Sequence, residues 1–291
     1  MRGFALAFLC LVLAGTASAQ RAPDAAVWRP LDPENTLYID TAHGRIVVEM
    51  YPEVAPRAVE RIKTLARMQF YDGLTFHRVI EGFMAQGGDP LGDGTGASPL
   101  PDLPAEFTFR RGAEFPFVQA AQQTNFRLGF YKAMPIATQP DALMSATADG
   151  RVYAHGLHCP GVASMARGED DNTANSQFFL MRDAYPRLDG EYTIWGRVVF
   201  GLDVVRRLNV GEPPPNPDRM LQVRVAADLP ESERAPIYVM RTDSREFRDL
   251  IQDVRRERRA DFSVCDIEVP ARVPRTQERE RRWWSIIPFL N

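Results

Sequence analysis

The sequence predicts a mainly β protein: a closed antiparallel barrel capped by two helices, carrying an internal insertion and a C-terminal helical tail. Three observations lead there. Short segments alternate apolar and polar residues at the two-residue period of strands. Glycine- and proline-rich turns separate them at short intervals. Strands and helices do not alternate in the rhythm of a parallel α/β sheet. With 291 residues, 45% of them hydrophobic and 25% charged, the chain can bury one sizeable globular domain with appendages. The net charge of -3 argues against nucleic acid as the main partner.

The chain begins with Arg2, an apolar run from Phe4 to Ala14, and the small-residue triplet Ala17-Ser18-Ala19. That is the pattern of a signal peptide over residues 1–19, with a mature start at Gln20 and export to a bacterial periplasm as the expectation. The alternative is an uncleaved anchor, but the apolar run is short for a bilayer. Residues 20–35, rich in Ala, Pro and Arg, read as a loose linker.

Thr36–Asp40 and Arg45–Met50, joined by a turn at His43-Gly44, read as a β-hairpin, with Ile46, Val48 and Met50 on one face and Val47 and Glu49 on the other. Pro56 suits the first turn of a helix reaching about Met68, whose Val59, Ile62, Leu65 and Ala66 form one apolar face. Next come Thr75–Ile80 and Phe83–Gln86, two strands joined by a tight turn at Glu81-Gly82. This hairpin offers Arg78, Phe83, Met84 and Gln86 to one face, followed by a glycine-rich exit. It contains no Ser/His/Asp triad, cysteine nucleophile or metal cluster. Gly92, Gly94 and Gly96 lack the strand-then-helix setting of a dinucleotide fingerprint.

Residues 108–157 form a long insertion that reads as folding against the barrel, either as a tolerated surface addition or as a lid or rim beside a groove. Val162–Ala166 and Gln177–Leu180 read as strands around a loop containing Asp170-Asp171-Asn172, which suits solvent better than a metal. Tyr192–Val199 is a further strand, Gly201–Leu208 a short helix, and Met220–Ala226 the last strand. Beyond Pro230, Phe247, Leu250, Ile251 and Val254 make the apolar stripe of a helix starting near Ser244. Trp283-Trp284 close a tail read as packed on the barrel; a partner-binding or membrane-surface arm is the alternative. Removing the leader leaves Cys159 and Cys265, which either pair in an oxidising compartment or remain two thiols.

Three blocks carry a resemblance. Phe76-His-Arg-Val-Ile-Glu-Gly-Phe-Met-Ala-Gln-Gly-Gly-Asp89 with its glycine exit, Gly161–Leu180, and Arg187-Leu-Asp-Gly-Glu-Tyr-Thr-Ile-Trp-Gly196 resemble, in order and spacing, the signatures of the cyclophilin-type peptidyl-prolyl cis–trans isomerases. The resemblance spans about residues 36–229, with residues 230–291 as an extension. It implies an eight-stranded barrel, no cofactor, and proline-containing polypeptides as partners. Arg78 would be the catalytic arginine, oriented by Gln86; Phe83, Met84, Phe179 and Leu188 would line the proline pocket; the backbone at Ala166-Arg167 would pair with the peptide; and Tyr192 would form the groove edge. His77 reads as a barrel histidine with satisfied hydrogen bonds rather than an acid or base, because bond rotation moves no proton. Two positions depart from many eukaryotic members: Arg187 stands where they carry a pocket tryptophan, which weakens the expectation of tight cyclosporin binding, and Tyr192 stands where they carry a histidine, which alters the groove edge. The expected function is isomerisation of X–Pro bonds in exported proteins, assisting their folding. The rival is a cyclophilin-fold binding module whose insertion and tail hold a partner.

Overall fold

The computed structural model describes residues 23–273. In chain order the elements are β1 (Trp28–Pro30), β2 (Thr36–Thr41), β3 (Gly44–Met50), α1 (Pro56–Arg67), β4 (Arg78–Ile80) and β5 (Met84–Gly87). Five strands follow in the insertion: β6 (Phe109–Arg111), β7 (Phe117–Gln122), β8 (Arg127–Tyr131), β9 (Met134–Thr138) and β10 (Val152–Gly156). Then come β11 (Val162–Met165), β12 (Phe178–Met181), β13 (Ile194–Phe200), α2 (Leu202–Arg207), β14 (Gln222–Val225), β15 (Tyr238–Met240), α3 (Arg245–Arg258) and β16 (Ala271–Arg272). The central sheet has eight antiparallel strands in the order β14-β2-β3-β13-β11-β12-β5-β4.

This sheet is curled but open, not the closed barrel expected from sequence. No ladder joins its edges β14 and β4; the segments beside them meet only at the isolated bridges Thr75–Arg219 and Val79–Gly211. The facing stretch between Gly211 and Arg219 holds Pro213, Pro214, Pro215 and Pro217, which have no N–H to donate to a ladder. Accordingly the strand expected over Thr75–Ile80 shortens to Arg78–Ile80.

The period-2 alternation of the strands divides two cores. Ile39, Ile46, Val48, Ala85, Ala163, Phe178, Leu180 and Trp195 point into the curl, where they meet Val59, Ile62 and Leu65 of α1 and Val204 and Val205 of α2. The helix α1 begins at Pro56 without a side-chain cap of its own. Glu106 supplies one from a distance, its carboxylate accepting the N–H groups of Arg57 at 3.1 Å and Ala58 at 2.9 Å.

The opposite face of the sheet is buried too. Tyr38, Val47, Tyr51, Met84, Phe179 and Ile194 share a second cluster with the insertion and the C-terminal region. The insertion is a five-stranded antiparallel sheet in the order β6-β10-β9-β8-β7. Its Phe130 meets Phe247 of α3 edge-on, with ring centroids 5.3 Å apart. Ser244 caps α3 by accepting the Phe247 N–H at 3.1 Å. Thus α3 packs in a layer shared with the insertion, while Trp283-Trp284 lie outside the described residues. Cys159 and Cys265 are joined by a disulfide, their Cα atoms 4.9 Å apart, which ties the extension to the chain just before β11.

The segment read as a loose linker is partly ordered. Residues 28–30 form β1, paired to β15 in a three-stranded sheet with β16. From β1, Arg29 reaches Glu49 of β3 at 2.6 Å, and the Tyr51 hydroxyl donates to the same carboxylate at 2.8 Å. Glu49, placed by alternation on the face opposite Ile46 and Val48, is therefore buried against Arg29 of β1.

Candidate active site

The hairpin β4–β5 sets Arg78 directly opposite Gln86, and the β5–β12 pairing sets Gln86 opposite Phe179. Gly82, at φ +67°, makes the tight turn between β4 and β5 in a backbone region that favours glycine. Because Val79 and Ala85 point into the curl, Arg78, Met84 and Gln86 must point out of it. One outward pocket is lined by Arg78, Phe83, Met84, Gln86, Ala166, Arg167, Phe179, Leu188 and Tyr192. These are the nine site residues drawn from the sequence, brought from four separate stretches of chain into one concavity. None comes from the insertion, whose apolar face is spent on the second core.

Polar contacts run through the pocket in series. The Arg78 Nε donates to Glu212 Oε2 at 2.6 Å, and its Nη1 donates to Gln86 Oε1 at 3.4 Å. The Gln86 amide donates to Gln177 Oε1 at 2.9 Å, and Gln177 donates to the carbonyls of Gly94 at 3.0 Å and Gly96 at 2.9 Å. Buried Asp89 shapes that glycine loop by accepting the N–H groups of Leu91, Asp93 and Gly94. The guanidinium is thus held along one edge and at one tip by a network that starts at the loop and ends on Glu212.

Aromatic and cationic groups form the walls. Phe179 and Tyr192 meet edge-on at 5.7 Å, and the Arg167 guanidinium lies over the Tyr192 ring at 4.7 Å. Arg167 is fixed there by donating from Nε and Nη2 to the Glu191 carbonyl at 3.2 Å each. Phe83 packs on Tyr185, with centroids 4.6 Å apart, at the pocket's outer rim.

His77 departs from the sequence reading. It is buried, yet neither ring nitrogen has a hydrogen-bond partner among the described residues. Burial lowers its pKa; Asp89 opposes the shift and neighbouring Arg78 adds to it, so the ring is held neutral.

Sequence reasoning missed Gln177, Glu212 and His158. Gln177 lies inside a block that was quoted, two residues before Phe179, and its amide could have been marked as a second-strand partner for Gln86. Glu212 lies 134 residues from Arg78 in a proline-rich crossover, where nothing local signals a contact. His158 lies just ahead of the Gly161 block and meets Ser164, Asp189, Phe179 and Tyr192.

A curled antiparallel sheet with a half-exposed arginine and a glutamine set over an aromatic pocket on its outer face defines a cyclophilin-like protein. The comparisons agree. Residues 36–225 match the family model described as "Cyclophilin type peptidyl-prolyl cis-trans isomerase/CLD". A probable peptidyl-prolyl cis-trans isomerase of Brucella suis is 35% identical over 213 residues, covering 68% of this chain and 85% of that protein. Peptidyl-prolyl cis-trans isomerase B of Bacillus subtilis is 32% identical over 182 residues, covering 62% of this chain and 91% of that one. The crystal structure of cyclophilin AquaCyp293 from Hirschia baltica is similar at a TM-score of 0.79 and 38% identity, covering 85% of this chain and 94% of that one. The chain belongs to the family of cyclophilin-type peptidyl-prolyl cis–trans isomerases, and it is an isomerase of that type.

Proposed function

We propose that the pocket around Arg78 is the isomerase site, and that the protein acts on X–Pro bonds of exported polypeptides in a bacterial periplasm, assisting their folding. The observation that carries the site assignment is the convergence of all nine residues on one pocket with Arg78 held over its rim. Support for export rests on the Arg2, Phe4–Ala14 and Ala17-Ser18-Ala19 pattern.

The X–Pro amide resists rotation because its nitrogen lone pair is delocalised into the carbonyl, a barrier of about 18–20 kcal/mol. Lowering that barrier by about 7 kcal/mol accelerates rotation by roughly five orders of magnitude. In this reading the proline ring enters between Phe83, Met84, Phe179 and Leu188, which strip it of water. With the Arg78 Nε on Glu212 and one Nη1 hydrogen on Gln86, the remaining guanidinium hydrogens are free to donate to the substrate amide. Such a donor favours the twisted bond, whose nitrogen has recovered its lone pair, over either planar state. No proton is transferred and no covalent intermediate forms. The Ala166 N–H is already donated to the Gln177 carbonyl at 2.9 Å, which leaves the Ala166 carbonyl to pair with the extended peptide. Gln86 acts by holding Arg78.

The test is the cis-to-trans rate of a short Ala-Pro peptide with the mature protein and with Arg78→Ala. A rate enhancement that collapses in the variant supports the assignment; a variant as fast as the parent overturns it. For export, the N-terminus of the protein recovered from a periplasmic fraction should be Gln20. Recovery in the cytoplasm with Met1 intact would overturn that part.

A further inference from the structure

Beneath the pocket lies a buried constellation whose groups take no part in the bond rotation itself. The His158 side chain is fully buried, and its ring makes two hydrogen bonds, Nδ1 with Asp189 Oδ1 at 3.0 Å and Nε2 with Ser164 Oγ at 2.9 Å. Asp189 Oδ1 also accepts the His158 backbone N–H at 2.7 Å, and the His158 carbonyl accepts the Tyr185 N–H at 2.9 Å. A carboxylate only accepts, so Nδ1 carries a hydrogen and Nε2 shares the other bond with the Ser164 hydroxyl.

The serine, histidine and aspartate are ordered as in a hydrolytic triad, but Ser164 is wholly buried within β11, opposite Phe179 in the sheet. No substrate carbonyl can reach its oxygen. What the imidazole does reach is the pocket wall. It stacks beside Phe179 at 6.1 Å with planes 20° apart, and meets Tyr192 edge-on at 6.3 Å. Asp189 sits between Leu188 and Tyr192 on the short connection that supplies both of them to the pocket. His158 thus joins three things: the strand bearing Ser164, the strand bearing Phe179, and the connection bearing Leu188 and Tyr192.

We propose that His158 is a positioning residue of the isomerase pocket, holding Leu188, Phe179 and Tyr192 at the spacing a proline ring fills. The proposal rests on the reading of this pocket as the isomerase site. The planar ring does what a smaller polar residue at this place would not. It satisfies Asp189 and Ser164 on two edges while its faces and rim pack on two aromatic rings. Loosening these walls weakens contact with the proline in planar and twisted states alike, which raises KM and leaves kcat in place. Arg78, in contrast, acts where resonance is lost, so its removal lowers kcat.

The experiment measures kcat and KM separately on a proline peptide for His158→Ala, His158→Asn and Arg78→Ala, with folding checked by circular dichroism. The expected result for His158→Ala is a KM raised on the order of tenfold with kcat within about twofold, the size of one lost buried hydrogen-bonded contact. His158→Asn, whose amide nitrogen can stand in for Nδ1 and donate to Asp189, should recover part of the loss. A folded His158→Ala with wild-type KM would overturn the proposal. So would activity lost only through unfolding in both histidine variants, which would make His158 a purely structural residue. If Arg78→Ala keeps full kcat, the site assignment itself fails, and that outcome is distinct from either result at His158.

Discussion

Arg78 and Glu212, 134 residues apart in sequence, are joined by a hydrogen bond of 2.6 Å from Nε to Oε2, at the mouth of the pocket. Both side chains are partly exposed, at 40% and 52%, so the pair contributes little to stability. Its consequence is orientation, since it occupies the edge of the guanidinium that points away from Gln86.

Removing the guanidinium should therefore matter far more than removing its partner. Arg78→Ala is expected to lower kcat/KM by roughly two to three orders of magnitude, the scale of losing one preorganised donor to a transition state. Arg78→Lys should recover little of this, because an ammonium lacks the planar fork that reaches Glu212 and Gln86 at once. Glu212→Gln keeps an acceptor and should stay within a few-fold of wild type, whereas Glu212→Ala should fall further, in kcat. Steady-state kinetics on one proline peptide resolves all four. Equal rates for Glu212→Ala and wild type would remove Glu212 from the description of the site.

The pair Arg29–Glu49 ties β1 to β3 of the central sheet. Glu49 is nearly inaccessible and carries both Arg29 and the Tyr51 hydroxyl. Burial, together with the Glu49 charge, pushes the Tyr51 pKa well up, so its hydroxyl stays a donor. Glu49→Ala leaves an uncompensated cation and is expected to cost about 3–5 kcal/mol in a denaturant titration. A loss under about 1 kcal/mol would show that water compensates Arg29 instead.

The disulfide closes a loop of sequence separation 106. Replacing Cys265 with serine should lower Tm by roughly 5–15 °C through the freed chain entropy. The same shift should appear in the parent protein after reduction, measured by calorimetry. An unchanged Tm would mean that the apolar layer around Phe130 and Phe247 holds the extension unaided.

Acid should destabilise the protein through the desolvated histidines His77 and His155. Burial lowers the pKa values of His77 and His155 below the ordinary histidine value. The unfolded chain then binds protons that the folded chain refuses. Stability contributed by the neutral rings is complete above about pH 6.5, is lost as pH falls below it, and stops changing below the depressed folded value. His77→Phe should flatten the dependence of the denaturant midpoint between about pH 7 and 5.5. An unaltered slope would assign the acid sensitivity to other groups.

Much of the site was legible because its residues lie close in sequence or in recognisable blocks. Arg78, Phe83, Met84 and Gln86 span nine positions, and a hairpin's register alone sets Arg78 opposite Gln86. Phe179 follows from the next ladder. The surroundings were not legible, since alternation alone does not show that Glu49 is buried against Arg29 of β1. His77 reads as a satisfied barrel histidine because bond rotation needs no base, and only the packing shows its nitrogens without partners among the described residues.

By itself the sequence determined most strands of the central sheet and the two helices that fill the curl, and its resemblance to the cyclophilins named the residues that line the pocket. The strands and helices follow from alternation, turn chemistry and short-range pairing, which act over a few residues. Tertiary structure alone decided that the sheet stays open, that a second core covers its outer face, and that Glu212 and His158 serve the pocket. The open sheet, the second core and the Glu212 contact depend on proline-rich and extension segments meeting strands far away in sequence or on the folding of an insertion. The His158 contacts depend on a connection 31 residues on. No local propensity encodes such distances; burial of a shared apolar face does.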